Sequence, residues 1–170
     1  AFITNHGYLD SPTFRGMRQQ LMEAFDEIYV LDLHGNSRKR ETPPDGGKDE
    51  NVFDIMQGVA IGIFVKHRRA IGEIKPPARV YHHDLWGIRD RKYDWLLKTK
   101  DTVGTENGWL GIEPQSPFHL FIPQDMDVVA EYQQGWKIID VLSASSLGIA
   151  TARDNFTIAF TPEEIKEAVL

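Results

Sequence analysis

The chain has 170 residues, 41% of them apolar and 26% charged, with nine Phe, five Tyr and four Trp. That composition excludes a disordered tail and allows one core of ordinary size, or one domain with part of another. The longest mainly apolar run, Val59 to Val65, is far short of the roughly 20 residues of a bilayer-spanning helix, and Ala1 to His6 lacks the basic start and apolar stretch of a secretion signal. A formal charge of −6 and zero cysteines exclude whole-surface affinity for nucleic acid, a disulfide framework, thiolate metal sites and a cysteine nucleophile; a cytoplasmic location is the expectation.

Residues 1 to 5 read as a short strand that ends in the turn-prone Asn5-His6-Gly7. Ser11-Pro12 opens a helix. Phe14, Met17, Leu21, Met22 and Phe25 recur at helical spacing on one face, which leaves Arg15, Arg18, Gln19 and Glu23 for the other. Glu27 to Leu33 is a second strand, rich in residues that suit a pleated surface. His34 to Asn51 is polar, contains Arg38-Lys39-Arg40, Pro43-Pro44 and Gly46-Gly47, and reads as a mobile loop. After a brief apolar return at Val52 to Ile55, Gly58 to Lys66 is the strongest strand, apolar on both faces and so central in a sheet.

Beyond Lys75-Pro76-Pro77, a strand is predicted at Arg79 to His82 and a helix at Ile88 to Lys98, with Tyr93, Leu96 and Leu97 as its apolar side. Asp101 to Gly108 reads as a loop and Phe118 to Ile122 as a strand between prolines. Asp127 to Gln134 is ambiguous, Trp136 to Val141 is helical in pattern, and Gly148 to Thr151 could pair with Phe156 to Phe160. Thr161-Pro162-Glu163-Glu164 has the spacing of a capping box before a last helix. The strand-like start and the short final helix carry the expectation that the chain is part of something larger.

No metalloprotease, phosphate-loop, nucleophile-elbow or dinucleotide motif is present. His82-His83-Asp84 is the densest histidine cluster, but neighbours on a strand point to opposite faces, so no metal ligand is assigned. Arg38, Lys39 and Arg40 either contact phosphates or are simply solvated, with Glu41, Asp45, Asp49 and Glu50 diluting their field. The four tryptophans read as core or interface anchors.

The order of a strand at Phe2 to Asn5, an arginine-bearing helix, a strand at Ile28 to Leu33, Val52-Phe53 and an apolar strand at Val59 to Val65 resembles the second half of the catalytic domain of adenine-specific N6 DNA methyltransferases. The match is closer to those fused into large single-chain restriction–modification enzymes. The resemblance implies an α/β fold: part of a doubly wound sheet that ends in an antiparallel hairpin (28 to 33 with 59 to 65), with Ala1 to Asn5 as the parallel strand beside it, followed by a mixed α+β segment. It implies three divisions: 1–72 as the end of the catalytic domain, 73–137 as a connecting segment, and 138–170 as the start of a target-recognition domain.

The family's S-adenosylmethionine loop and its Asn/Asp-Pro-Pro-aromatic motif do not occur here. Pro43-Pro44 and Pro76-Pro77 have the wrong neighbours. The expectation is therefore a fragment inactive alone, with no catalytic residue and no bound cofactor of its own. S-adenosylmethionine, the upstream methyltransferase half and double-stranded DNA would be partners in the full enzyme, and the free side of the first strand would be open to pairing, with another copy among the options. The family places an aromatic residue before its final strand to stack on a flipped-out adenine. Phe53 holds that place, either in that role or as a core Phe under the loop. Gly148 to Asp154 resembles a turn of target-recognition regions, in which Thr151 and Arg153 either position DNA or, for Arg153 with Asp154, form a local ion pair. In none of the three divisions do basic residues outnumber acidic ones, so tight DNA binding by this piece alone is not expected. The alternative is a stand-alone, non-catalytic interaction module built on an antiparallel sheet, which would flank residues 1 to 5 with strands on both sides.

Overall fold

The computed structural model describes residues 1–70, 72–99, 108–142 and 159–169. They fall into two compact units, Ala1–Gln124 and Asp125–Leu170. The first is built on a mixed five-stranded sheet: β1 (Phe2–Asn5), β2 (Glu27–Asp32), β3 (Val59–Val65), β4 (Arg79–Asp84) and β5 (Leu110–Ile112), in the order β1-β3-β2-β4-β5. β3 is antiparallel to both β1 and β2, with Phe2 opposite Gly62 and Asp32 opposite Ala60. β2 and β4 run parallel, Asp32 beside Asp84, and β5 returns antiparallel to β4. β1, β2 and β4 therefore point the same way and end at one rim of the sheet, at Asn5, Asp32 and Asp84.

Strand alternation divides the core. Ile28 and Val30 face one side with Tyr8, Leu9, Val80 and Phe121, where Leu21, Met22 and Phe25 pack from helix α1 (Arg15–Ala24) and its end. Leu31, Leu33, Val59, Leu85 and Trp109 gather on the other, covered by Trp95 and Leu96 of α2 (Arg89–Lys98). A sheet buried on both faces selects continuous apolar strands, which is why β2 and β3 carry them.

The expected hairpin forms. β1 corrects the expectation: its bonded neighbour is the antiparallel β3, which lies between it and its parallel partner β2. Among the described residues β1 sits at a sheet edge with strands on one side only, and Phe2 and Ile3 are exposed there. The sheet runs on past residue 72 through β4 and β5. The segment 118–122 is no strand: Phe121 enters the core and its N–H donates to the Leu9 carbonyl, while the strand after α2 is Leu110–Ile112, paired with β4. The helix faces also differ from the pattern. Arg18, placed on the polar side of α1, is fully buried, and in α2 the fully buried residue is Lys92, with Tyr93 and Leu97 exposed. The segment expected as a mobile loop is anchored, with His34, Asn36 and Asn51 buried.

The second unit contains α3 (Met126–Gln133), α4 (Ile138–Val141) and α5 (Pro162–Val169). The Thr161 hydroxyl accepts from the Glu164 N–H at 3.3 Å, as the capping box requires, while the Glu164 carboxylate reaches back to the Phe160 N–H at 3.0 Å. The expected pairing of 148–151 with 156–160 lies, apart from residues 159 and 160, outside the described residues. Among the described residues no helix is long and apolar enough to cross a membrane.

Candidate functional site

Parallel strands leave their carboxyl ends as a common rim, the usual place for ligand chemistry in α/β sheets. Here that rim carries a polar network that is buried except at Asp84. His6 follows β1, Asp32 ends β2, His34 follows it, and Asp84 ends β4. The Asp32 carboxylate takes the His6 Nδ1 at 3.0 Å and the His34 backbone N–H at 2.9 Å. His34 Nε2 and His82 Nε2 both meet Asp84 Oδ1, at 2.8 and 3.0 Å, and His82 Nδ1 lies 2.8 Å from the Phe121 carbonyl oxygen. Asn36 Nδ2 lies 3.1 Å from His6 Nε2. Gly58 makes room for this packing, since a Cβ there would sit 2.4 Å from His6 Cε1.

Burial alone would lower the His34 pKa, but the hydrogen bond to Asp84 and the facing carboxylates of Glu41 and Asp32 override it and raise it to about 9. Burial likewise opposes ionisation of Asp84, and the bonds from His34 and His82 win, holding its carboxyl well below the usual range. One ligand atom each from His6, Asp32 and His34, all three buried, lies within 4.8 Å of the others.

Beside this network opens a groove of about 630 Å³, lined by Asn36, Glu41, Glu50, Phe53, Met56 and Arg89 among others. Its floor is the 49–53 segment, which α2 clamps from behind. Lys92 Nζ donates to the carbonyls of Leu33 and Glu50, both at 2.7 Å, and pairs with Asp49 at 2.6 Å. Asp49 in turn accepts the N–H groups of Gly35 and Gly87. The Asn51 side chain donates to the Gly35 and Gln57 carbonyls and accepts the Phe53 N–H at 2.9 Å. Arg89 donates to the Asn51 and Phe53 carbonyls and to Asp54. Gly35 has φ +79, and a Cβ there would lie 2.4 Å from Asn51 Cα, so only glycine lets the two segments meet. The result is a fixed backbone that presents an exposed apolar tip: Phe53, Ile55 and Met56 are 43%, 46% and 54% accessible.

Phe53 thus stands on the groove and not in the core. Arg38, Lys39 and Arg40 are exposed outside the groove lining, with Lys39 paired to Asp10 at 3.2 Å. Thr151 and Arg153 lie outside the described residues. His82 and His83 do face opposite sides: His82 is in the buried network, and His83 stacks on Trp95. Sequence reasoning missed His6, Asp32, His34, Lys92 and Asn51. The one local signal was an acid and a histidine just past a strand end, at Asp32 and His34; His6 comes from 26 residues away.

No known family's sequence profile matches the chain, and no curated protein matches it. Solved structures do. The chain is similar to an ATP-dependent Type ISP restriction-modification enzyme, LlaBIII, bound to DNA, with 27% identity, a TM-score of 0.61, and coverage of 98% of this chain and 11% of that one. A DrdV–DNA complex shows 26% identity and a TM-score of 0.55 over 75% of this chain and 12% of that one. A nuclease-deletion mutant of the Type ISP restriction-modification enzyme LlaGI, in complex with a DNA substrate mimic, shares the fold at 22% identity and a TM-score of 0.57, over 99% of this chain and 16% of that one. The chain thus spans between a ninth and a sixth of the lengths of the proteins it resembles, and the likeness supports a region of a restriction–modification enzyme.

Proposed function

We propose that the chain is a region of a restriction–modification enzyme that methylates adenine N6 in double-stranded DNA, and that it supplies a wall of the pocket for the flipped-out base. The observation that carries this reading is Phe53: its side chain is 43% exposed on an open groove, while its N–H and carbonyl are both tied down. A base taken out of the stack recovers about 1–3 kcal/mol on an aromatic face, provided that face is held in place. Carboxylates of Glu41, Glu50 and Asp54 line the same groove; they repel phosphate and offer acceptors to an amino group. Arg38 and Arg40, exposed beyond the groove, are the phosphate-contact candidates.

S-adenosylmethionine would supply the methyl group. The acid-lined groove has no glycine-rich turn at a helix N-terminus that fits it, so its binding is assigned to the upstream half of the enzyme. The exposed β1 edge, paired on one side only among the described residues, is the surface that half would cover. Phe53→Ala in the full enzyme is expected to slow methylation at least tenfold while changing stability by less than about 1 kcal/mol; wild-type turnover would sink the stacking role. The isolated chain is expected to give no heat with S-adenosylmethionine in calorimetry, and saturable binding would show that the cofactor is held here.

A further inference from the structure

We propose that His6, Asp32 and His34 form a buried site for one divalent transition-metal ion of the zinc type, with the Glu41 carboxylate close to His34. The donor set is two imidazoles and a carboxylate, all buried, which suits zinc-like ions; magnesium and calcium take oxygen ligands, and magnesium keeps its water. The spacing is that of ligands around one ion. Tetrahedral bonds of about 2.0–2.1 Å put ligand atoms about 3.3 Å apart. Here His6 Nδ1 and Asp32 Oδ1 are 3.0 Å apart, and His34 Nδ1 is 3.8 Å from Asp32 Oδ2 and 3.8 Å from Glu41 Oε2.

Those two 3.8 Å gaps are too long for hydrogen bonds, so His34 Nδ1 faces two carboxylates and bonds neither directly. The other Glu41 oxygen is 3.8 Å from His6 Nε2. The ring is aimed from behind: His34 Nε2 meets Asp84 at 2.8 Å, the carboxylate–histidine arrangement that orients metal-bound imidazoles. Charge points the same way. Asp32, Glu41 and Asp84 converge on the rings, and among the described residues no lysine or arginine is bonded to any of the three. The ion would tie the segment that follows β2 to the start of the chain, and with it the Asn36 and Glu41 side of the groove. The site is distinct from the base-stacking role of Phe53 and does not depend on it.

The test uses the full chain, stripped with chelator and titrated with Zn²⁺ in calorimetry, with metal content measured by emission spectrometry. One equivalent per chain is expected, with a rise in melting temperature and, for Co²⁺, the visible bands of a low-coordinate site carrying imidazole. Asp32→Asn and His34→Gln should abolish uptake, Asp84→Asn should weaken it 10- to 100-fold, and His67→Gln, on an exposed histidine elsewhere, should leave it unchanged. No saturable uptake by the wild-type chain overturns the proposal, as does uptake that survives Asp32→Asn. If the variants fail to fold, the wild-type stoichiometry and Co²⁺ spectrum decide: an octahedral, water-like spectrum or fractional loading overturns it.

Discussion

Helices α1 and α2 each bury one cation completely, and they satisfy it in opposite ways. Among the described residues, Arg18 of α1 makes its hydrogen bonds to main-chain carbonyls, those of Tyr8, Ser11, Phe118 and His119, at 2.7 to 3.0 Å. Burial pulls its pKa down, opposed by the charge of Asp10. Lys92 of α2 bonds two carbonyls and also a buried carboxylate, Asp49. The planar guanidinium spreads its charge over neutral dipoles and so fixes two irregular segments at once. The ammonium sits opposite a full negative charge, and neither partner can lose the other without leaving a bare buried ion. The first device staples the chain's irregular edges together, and the second holds the groove on which Phe53 stands.

The sharpest way to test that difference is Lys92→Met. It strands Asp49 and should cost about 3–5 kcal/mol in urea unfolding, while Lys92→Met with Asp49→Leu should recover most of the loss. A single-variant loss below about 1 kcal/mol would break the contrast. Arg18→Met leaves carbonyls and no buried carboxylate, so a smaller loss of about 1–3 kcal/mol is expected in the same assay; a loss exceeding that of Lys92→Met reverses the ranking.

Arg69, paired with the buried Asp26, is a third case that pH can read. Its hydrogen bond, then that of the His67 N–H, holds the Asp26 carboxyl below its ordinary value. A depressed folded-state pKa stabilises above the unfolded value near about pH 4, and the benefit fades as pH falls below it. Arg69→Gln should therefore be less stable than wild type at pH 7, with the gap closing in acid. A gap independent of pH would mean that the pair does not act through that charge. Lys39, whose partner Asp10 is exposed like itself, closes the series: Lys39→Ala should change stability by less than about 1 kcal/mol in thermal melts.

Much of the sheet was legible locally. β2 and β3 announce themselves because a strand buried on both faces must be apolar at nearly every position, and the helices at 15–24 and 89–98 show helical spacing. Their inward faces were misread: Arg18 and Lys92 are buried, and Tyr93 and Leu97 are exposed. Periodicity scores Arg18 and Lys92 as solvent-facing, and it cannot register carbonyl partners 100 and 59 residues away. The three-residue β5, Leu-Gly-Ile, is too short to carry alternation, whereas Phe118 to Ile122 is apolar enough to pass for a strand and spends Phe121 on the core instead.

Of the site, Phe53 was placed by its order relative to the apolar strand and by resemblance, and the structure puts it on an open groove. The histidine–carboxylate rim showed only in scattered pieces, because His6, Asp32 and Asp84 become neighbours only when three strands align their carboxyl ends. By itself, then, the sequence determined which segments must hide from water and which must turn, since those are properties of short stretches. Tertiary structure alone decided which polar groups are buried with them, because a buried charge is tolerable only where distant backbone and carboxylates converge to meet it.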